Sequence, residues 1–161
     1  MSSFPGERTE LIEALSLSVR KVIVETVLLF DTLASQIGVN ATDMQCLNIL
    51  DYEGPVPAGR LAELTGLTTG AITVAIDRLE KAGYVQRVRD PHDRRRVVIQ
   101  QIPHEGFDVF GAIDQAWQEL CSHYSDQELA VILTFIDAMH QMNRGTVAHY
   151  RKDGAHKQME V

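Results

Sequence analysis

The residues Arg87-Val88-Arg89-Asp90-Pro91-His92-Asp93-Arg94-Arg95-Arg96 place five arginines within ten positions, around a proline and directly behind an amphipathic helical segment. A guanidinium stays charged and donates several hydrogen bonds from a planar fork, so such a cluster on a tight turn suits phosphates and a narrow minor groove. The flanks read as strands. Tyr84-Val85-Gln86 leads in and Val97-Val98-Ile99 leads out, with β-branched residues favouring extended pairing. The chain has 15 Lys+Arg and 22 Asp+Glu, a net of −7, yet from Ala58 to Arg96 eight basic residues meet five acidic ones, leaving that stretch at +3 and the remainder at −10. An acidic body argues against a non-specific nucleic-acid coat, whereas a locally positive face suits one specific site. Taken alone, an arginine run is more often a solvated surface.

The segment in front of the arginines supplies the context. Pro57 opens a short helix, Ala58 to Leu64, that stops at Thr65-Gly66. Thr68 caps a second helix, Thr69 to Ala82, and Gly83 closes it as a left-handed terminator. Ile72, Ala75, Ile76, Leu79 and Ala82 fall on one stripe and should pack inward, which leaves Thr69, Gly70, Thr73, Val74 and Asp77 on or near the opposite face. Small residues near a helix N-terminus permit close approach to a groove, and the exposed N–H groups there favour phosphate, so Thr68, Thr69, Gly70, Thr73, Val74 and Asp77 are candidate DNA contacts. Helix, turn, helix and arginine-tipped hairpin together make a winged helix-turn-helix.

Elements on either side must hold this reader. Thr9 is placed to cap a long helix with Ile12, Leu15, Val19, Val22, Ile23, Val27, Phe30, Leu33 and Ile37 at helical spacing, ending at Gly38. A capping box, Thr42 with Gln45, opens the next helix, which runs to about Tyr52 before Gly54-Pro55. Beyond the hairpin, Pro103 permits a helix start, and Phe107, Phe110, Ile113, Trp117, Leu120, Cys121 and Tyr124 form a stripe. Ser125 with Glu128 is another capping box, before Leu129, Ile132, Leu133, Ile136 and Met139. The first and last helices carry more apolar face than a small reader needs, so pairing with a second copy is its economical use. The fold class is therefore mainly α with a small β-wing: a winged helix-turn-helix at 42–102, helical dimerisation regions at 9–38 and 103–146, and loose ends at 1–8 and 150–161.

Composition narrows the alternatives. With 161 residues and 45% hydrophobic content the chain can bury a core. No signal-peptide pattern or uninterrupted apolar span is visible, so a cytoplasmic protein without a membrane partner is expected. Cys46 and Cys121 lack metal-ligand spacing and sit beside apolar neighbours as inert thiols; His149 and His156 fix no geometry for a metal, and no cofactor is expected. Cys121 and His123 cannot face each other on a helix, and no carboxylate pair or phosphate-binding loop stands out, so an enzyme is not indicated.

The chain resembles the MarR (multiple antibiotic resistance regulator) family of bacterial transcription factors from about Leu15 to Met142. The resemblance is carried by Arg60-Leu61-Ala62-Glu63-Leu64-Thr65-Gly66-Leu67, by Thr68 to Thr73, by Asp77-Arg78-Leu79-Glu80-Lys81-Ala82-Gly83-Tyr84-Val85, and by the wing from Asp90 to Ile99. It implies a homodimer with interlocked terminal helices, recognition helices in successive major grooves of double-stranded DNA, and wing arginines in the minor groove. Carried over by position, Asp93 would brace the Arg95 guanidinium, and Arg94 and Arg96 would contact phosphates. It also associates the junction of the first, second and fifth helices with ligand, so Phe30, Met44, Phe110 and Trp117 are candidates for binding a small apolar, aromatic or anionic effector, although core packing competes at each. Where the family has a leucine-threonine pair after the wing, this chain has Ile102-Pro103, and its first helix lacks the cysteine of the family's peroxide sensors. The leading expectation is a ligand-responsive repressor on a near-palindromic operator. The alternative is a winged-helix module that holds protein, for which an arginine-tipped wing is the less natural choice.

Overall fold

The computed structural model describes residues 5–91, 93, 95–103 and 109–159. Its elements are α1 (Pro5–Gln36), α2 (Ala41–Glu53), α3 (Ala58–Thr65), α4 (Thr69–Lys81), β1 (Val85–Arg89), β2 (Val97–Gln101), α5 (Val109–Cys121) and α6 (Asp126–Met159). They fall into two compact units, residues 1–107 and 108–161, so α1 belongs to the same unit as the reader.

In the first unit the core is made where α2, α3, α4 and the hairpin meet. Met44, Leu61, Ile72, Ile76, Leu79, Val85 and Ile99 are fully buried there. Ile72, Ala75, Ile76 and Leu79 form the inward stripe that the spacing predicts, whereas Ala82, expected on the same stripe, is exposed because it is the C-cap beyond the last turn of α4. Thr68 caps α4 as expected, accepting from the Ala71 N–H at 3.2 Å. The turn out of α4 needs Gly83, whose φ of 83° is left-handed and strained for any residue with a Cβ.

The start of α2 corrects the expectation. Thr42 does not cap it; Asn40 does, its side-chain oxygen accepting from the Asp43 N–H at 2.9 Å. The chain leaves Gly38 and is already extended at Asn40 (φ −97°, ψ 172°), so the earlier short acceptor captures the helix.

β1 and β2 pair antiparallel with Arg87 opposite Ile99 and Arg89 opposite Val97. Val56, which follows the Gly54-Pro55 break, forms an isolated bridge to Ile99 with bonds of 3.2 and 2.8 Å. Ile102 extends the hairpin's hold by donating to the Tyr84 carbonyl at 2.8 Å. The Tyr84 hydroxyl in turn donates to the Ile37 carbonyl at 3.1 Å, tying the end of α1 to the entry of the wing.

In the second unit, α6 opens with the expected capping box: Ser125 N–H and Oγ donate to Glu128 Oε2 at 2.8 and 2.7 Å, and Glu128 N–H returns a bond to Ser125 Oγ at 3.4 Å. Both Ser125 bonds hold the Glu128 carboxyl below its ordinary pKa. Pro103 lies outside α5, which is helical from Val109, and 104–108 are not among the described residues. Helical structure also reaches into both segments expected as loose ends, since α1 begins at Pro5 and α6 continues to Met159. Among the described residues, no single helix is long and apolar enough to cross a membrane.

Candidate nucleic-acid interface

The exposed side of α4 carries Thr69, Gly70, Thr73, Val74 and Asp77, with Thr68 exposed at its cap, as helical spacing predicts. One of these is already engaged. Asp77 Oδ1 accepts from the Arg87 guanidinium at 2.5 Å, and Glu80 pairs with the same guanidinium while also accepting the Arg87 backbone N–H at 3.1 Å. These bonds, Asp77 foremost, raise the Arg87 pKa. Arg87 thus clamps α4 to β1, and Asp77 serves that clamp.

A second anchor lies behind α4. Arg78 donates to Asp43 on α2 through Nε at 3.1 Å and through a terminal nitrogen at 2.6 Å, a bidentate pair whose carboxylate is almost completely buried. Asp43 is the buried charged residue of the described core, and this pairing is what permits its burial. Beside it, Cys46 is fully buried, and burial, reinforced by the Asp43 carboxylate, pushes its thiol up to about 11. The inert thiol expected at Cys46 follows from that environment.

At the tip of the wing, Arg95 and Arg96 are exposed. The carboxylate of Asp93 accepts from the backbone N–H of Arg95 at 3.0 Å; the guanidinium was the expected partner, and the amide takes its place. Arg96 N–H donates to the Asp93 carbonyl at 2.9 Å, and Asp90 N–H to the Arg96 carbonyl at 3.0 Å, closing the turn. Asp93 therefore shapes the backbone that presents the arginines. Arg94 lies outside the described residues.

Of the four effector candidates, Phe30 and Met44 belong to the first unit and Phe110 and Trp117 to the second. Phe30 lines a cleft of about 270 Å³ between α1 and α2, with Thr26, Val27, Asp31, Ala41, Gln45 and Asn48. Met44, 1% exposed, is reader core and not a lining residue. Phe110 and Trp117 are in the second unit; Trp117 is 60% exposed, and the Phe110 side chain is outside those described. Spacing points to Phe30 as a helix-face residue and does not point to the polar residues that line this cleft with it.

The clamp and the buried pair were missed by sequence reading. Arg87 stood in the arginine run and was grouped with the wing; a carboxylate pair on α4 three residues apart, Asp77 and Glu80, was the available signal. For Asp43 and Arg78, 35 residues apart, no local signal exists.

Comparison with known proteins agrees with this geometry. Residues 39–97, from α2 to the start of β2, match the model of the MarR family. The chain is 40% identical over 134 residues to the uncharacterized HTH-type transcriptional regulator YcgE of Bacillus subtilis (strain 168), covering 81% of this chain and 87% of that protein. Among solved structures, a MarR family protein from Bacillus stearothermophilus superposes with a TM-score of 0.57 at 21% identity, covering 86% of this chain and 97% of the other. The transcriptional regulator Tm0710 from Thermotoga maritima does so with a TM-score of 0.55 at 20% identity, covering 84% and 98%. These two likenesses concern the fold.

Proposed function

This chain belongs to the MarR family of DNA-binding transcriptional regulators, and on that premise we propose that it is a homodimeric repressor of a near-palindromic operator, released by a small effector. The observation that carries the DNA reading is the joining of two exposed elements, the outward face of α4 and the arginine-tipped turn, by the Arg87 clamp. Their fixed spacing lets one enter a major groove while the other reaches the adjacent minor groove. Thr68, Thr69, Gly70, Thr73 and Val74 approach the major groove; Arg95 and Arg96 serve the wing, with Arg94 as a further phosphate contact. Asp77 acts through Arg87 and does not read a base.

The dimer reading is supported by apolar side chains left open to solvent. Ile12, Val22, Ile23, Val27 and Leu28 on α1, and Val131, Leu133, Phe135 and Ile136 on α6, are each at least 43% exposed. Covering them with the same faces of a second copy removes that cost and yields two reading heads about 34 to 36 Å apart. The effector reading rests on the Phe30 cleft. Thr26, Gln45 and Asn48 offer hydrogen bonds beside the ring, and the Asp31 carboxylate disfavours an anion, so the cleft fits a neutral aromatic compound. Such a compound releases the operator by its differential affinity for two arrangements of the dimer. A regulator of this kind acts where the chromosome is, in the cytoplasm.

Selecting genomic DNA fragments on the purified protein and sequencing them tests the reading. Enrichment of inverted-repeat sites upstream of genes is the expected result. Retention without sequence enrichment, or no retention of DNA at all, contradicts it.

A further inference from the structure

The outward face of α4 offers methyl groups and little base-edge hydrogen-bonding chemistry. Asp77 and Glu80 are held by Arg87, Arg78 is held in two bonds by Asp43, and Lys81 stands in the last turn, away from the N-terminal half. The Thr68 hydroxyl accepts the capping bond from Ala71, and the Thr73 hydroxyl donates to the Thr69 carbonyl at 2.8 Å. Exposed in the first two turns are Thr69, Gly70, Thr73 and Val74, the last 54% exposed, and with its hydroxyl committed to the Thr69 carbonyl Thr73 has its methyl left to offer.

Gly70 sharpens the point. Gly70 lies in the first turn of α4, and a Cβ added there would meet nothing within 4 Å, so this face is open at the backbone. That openness suits the close approach of a partner. Guanine is read by arginine or lysine forks, adenine by asparagine or glutamine, and cytosine by carboxylates; the thymine C5 methyl is the major-groove feature that alkyl groups match.

We propose that α4 reads the 5-methyl groups of thymine, with Val74 as the specificity-determining residue and the Thr69 and Thr73 methyls beside it, Gly70 allowing the backbone to come close. The half-site beneath this helix is then built on T·A pairs. This rests on α4 being the DNA-reading helix. Asp77 is excluded from reading cytosine because its carboxylate belongs to the clamp, and the amide side chains that specify adenine do not occur on α4.

The test uses the full-length protein and duplexes it selects from a random pool. Each thymidine in the best duplex is replaced in turn by deoxyuridine, which removes one methyl and leaves base pairing and the minor groove unchanged. At one or two positions in each half-site the affinity is expected to fall roughly fourfold per methyl. Val74→Ala is expected to weaken the thymidine duplex to a similar degree and to abolish the uracil effect at the position Val74 faces, with an unchanged melting temperature. Uracil tolerated at every position, or an undiminished uracil effect in Val74→Ala, overturns the assignment to Val74 while DNA recognition stands. Selection of no preferred duplex overturns the DNA reading itself, and this inference with it.

Discussion

Arg95 stands on a turn that Asp93 holds twice, by its carboxylate to the Arg95 amide and by its carbonyl to the Arg96 amide. Removing the side chain leaves that turn intact, so Arg95→Ala is expected to cost about 1 to 3 kcal/mol of binding to a specific duplex. Melting and dimerisation should not change; gel-shift titration at matched salt checks this. Asp93→Asn retains an amide oxygen able to accept the same bond, so its effect should be milder, whereas Asp93→Ala should approach Arg95→Ala. The thiols provide an independent check on the core. With Cys46 fully buried and its thiol raised to about 11, an alkylating reagent at neutral pH should modify Cys121 first and reach Cys46 only when urea unfolds the reader. Residue types at the wing and on α4 were legible because local chemistry determines them: a cap, a glycine terminator, an arginine turn. The role of Asp77 was not, because its face can be read from periodicity but its partner is ten residues on, across a turn.

Between elements, the pairing of Arg87 with Asp77 and Glu80 ties α4 to β1. The pair is partly exposed, so Arg87→Ala should change fold stability by less than about 1 kcal/mol. Binding should suffer more, because two unpaired carboxylates then face the DNA phosphates; a loss beyond about tenfold is expected, partly restored by Asp77→Asn with Glu80→Gln. Equal affinities of Arg87→Ala and the parent chain would show that the clamp has no bearing on DNA. The start of α6 gives a pH signature. Because Ser125 lowers the folded pKa of Glu128, the capping box contributes stability above the unfolded carboxyl's pKa and loses it as pH falls through the lower folded value. A carboxyl-resolved NMR titration should place the Glu128 midpoint below that of a free glutamate, and Ser125→Ala should move it up. Element existence was well marked in the sequence, since long amphipathic stripes and Gly-bearing turns announce helices. Boundaries were not: Asn40 displaced Thr42 as the cap, and the Val56 bridge was hidden because a single β-branched residue after Gly54-Pro55 has no periodicity to read.

For the molecule as a whole, the acidic body and the basic reader segment have opposite tasks. Under the proposed dimer the exposed apolar faces on α1 and on α6 meet a second copy, and equilibrium sedimentation at low micromolar concentration should give the mass of two chains. Leu133→Lys, at a position 61% exposed in the single chain, should shift that equilibrium toward monomer while leaving the reader folded. The apolar surplus was visible in the sequence as stripes too rich for one protomer, but which stripe meets which depends on packing over long separations that spacing does not encode. The central claim is that α4 and the arginine wing together hold duplex DNA, and a salt titration of binding to a selected operator duplex tests it most directly. The account predicts that log affinity falls linearly with log salt concentration and that neutralising Arg95 or Arg96 lowers the slope by about one ion each, while preference over scrambled duplex persists. A salt-independent affinity, or one equal for operator and scrambled duplex, would contradict it.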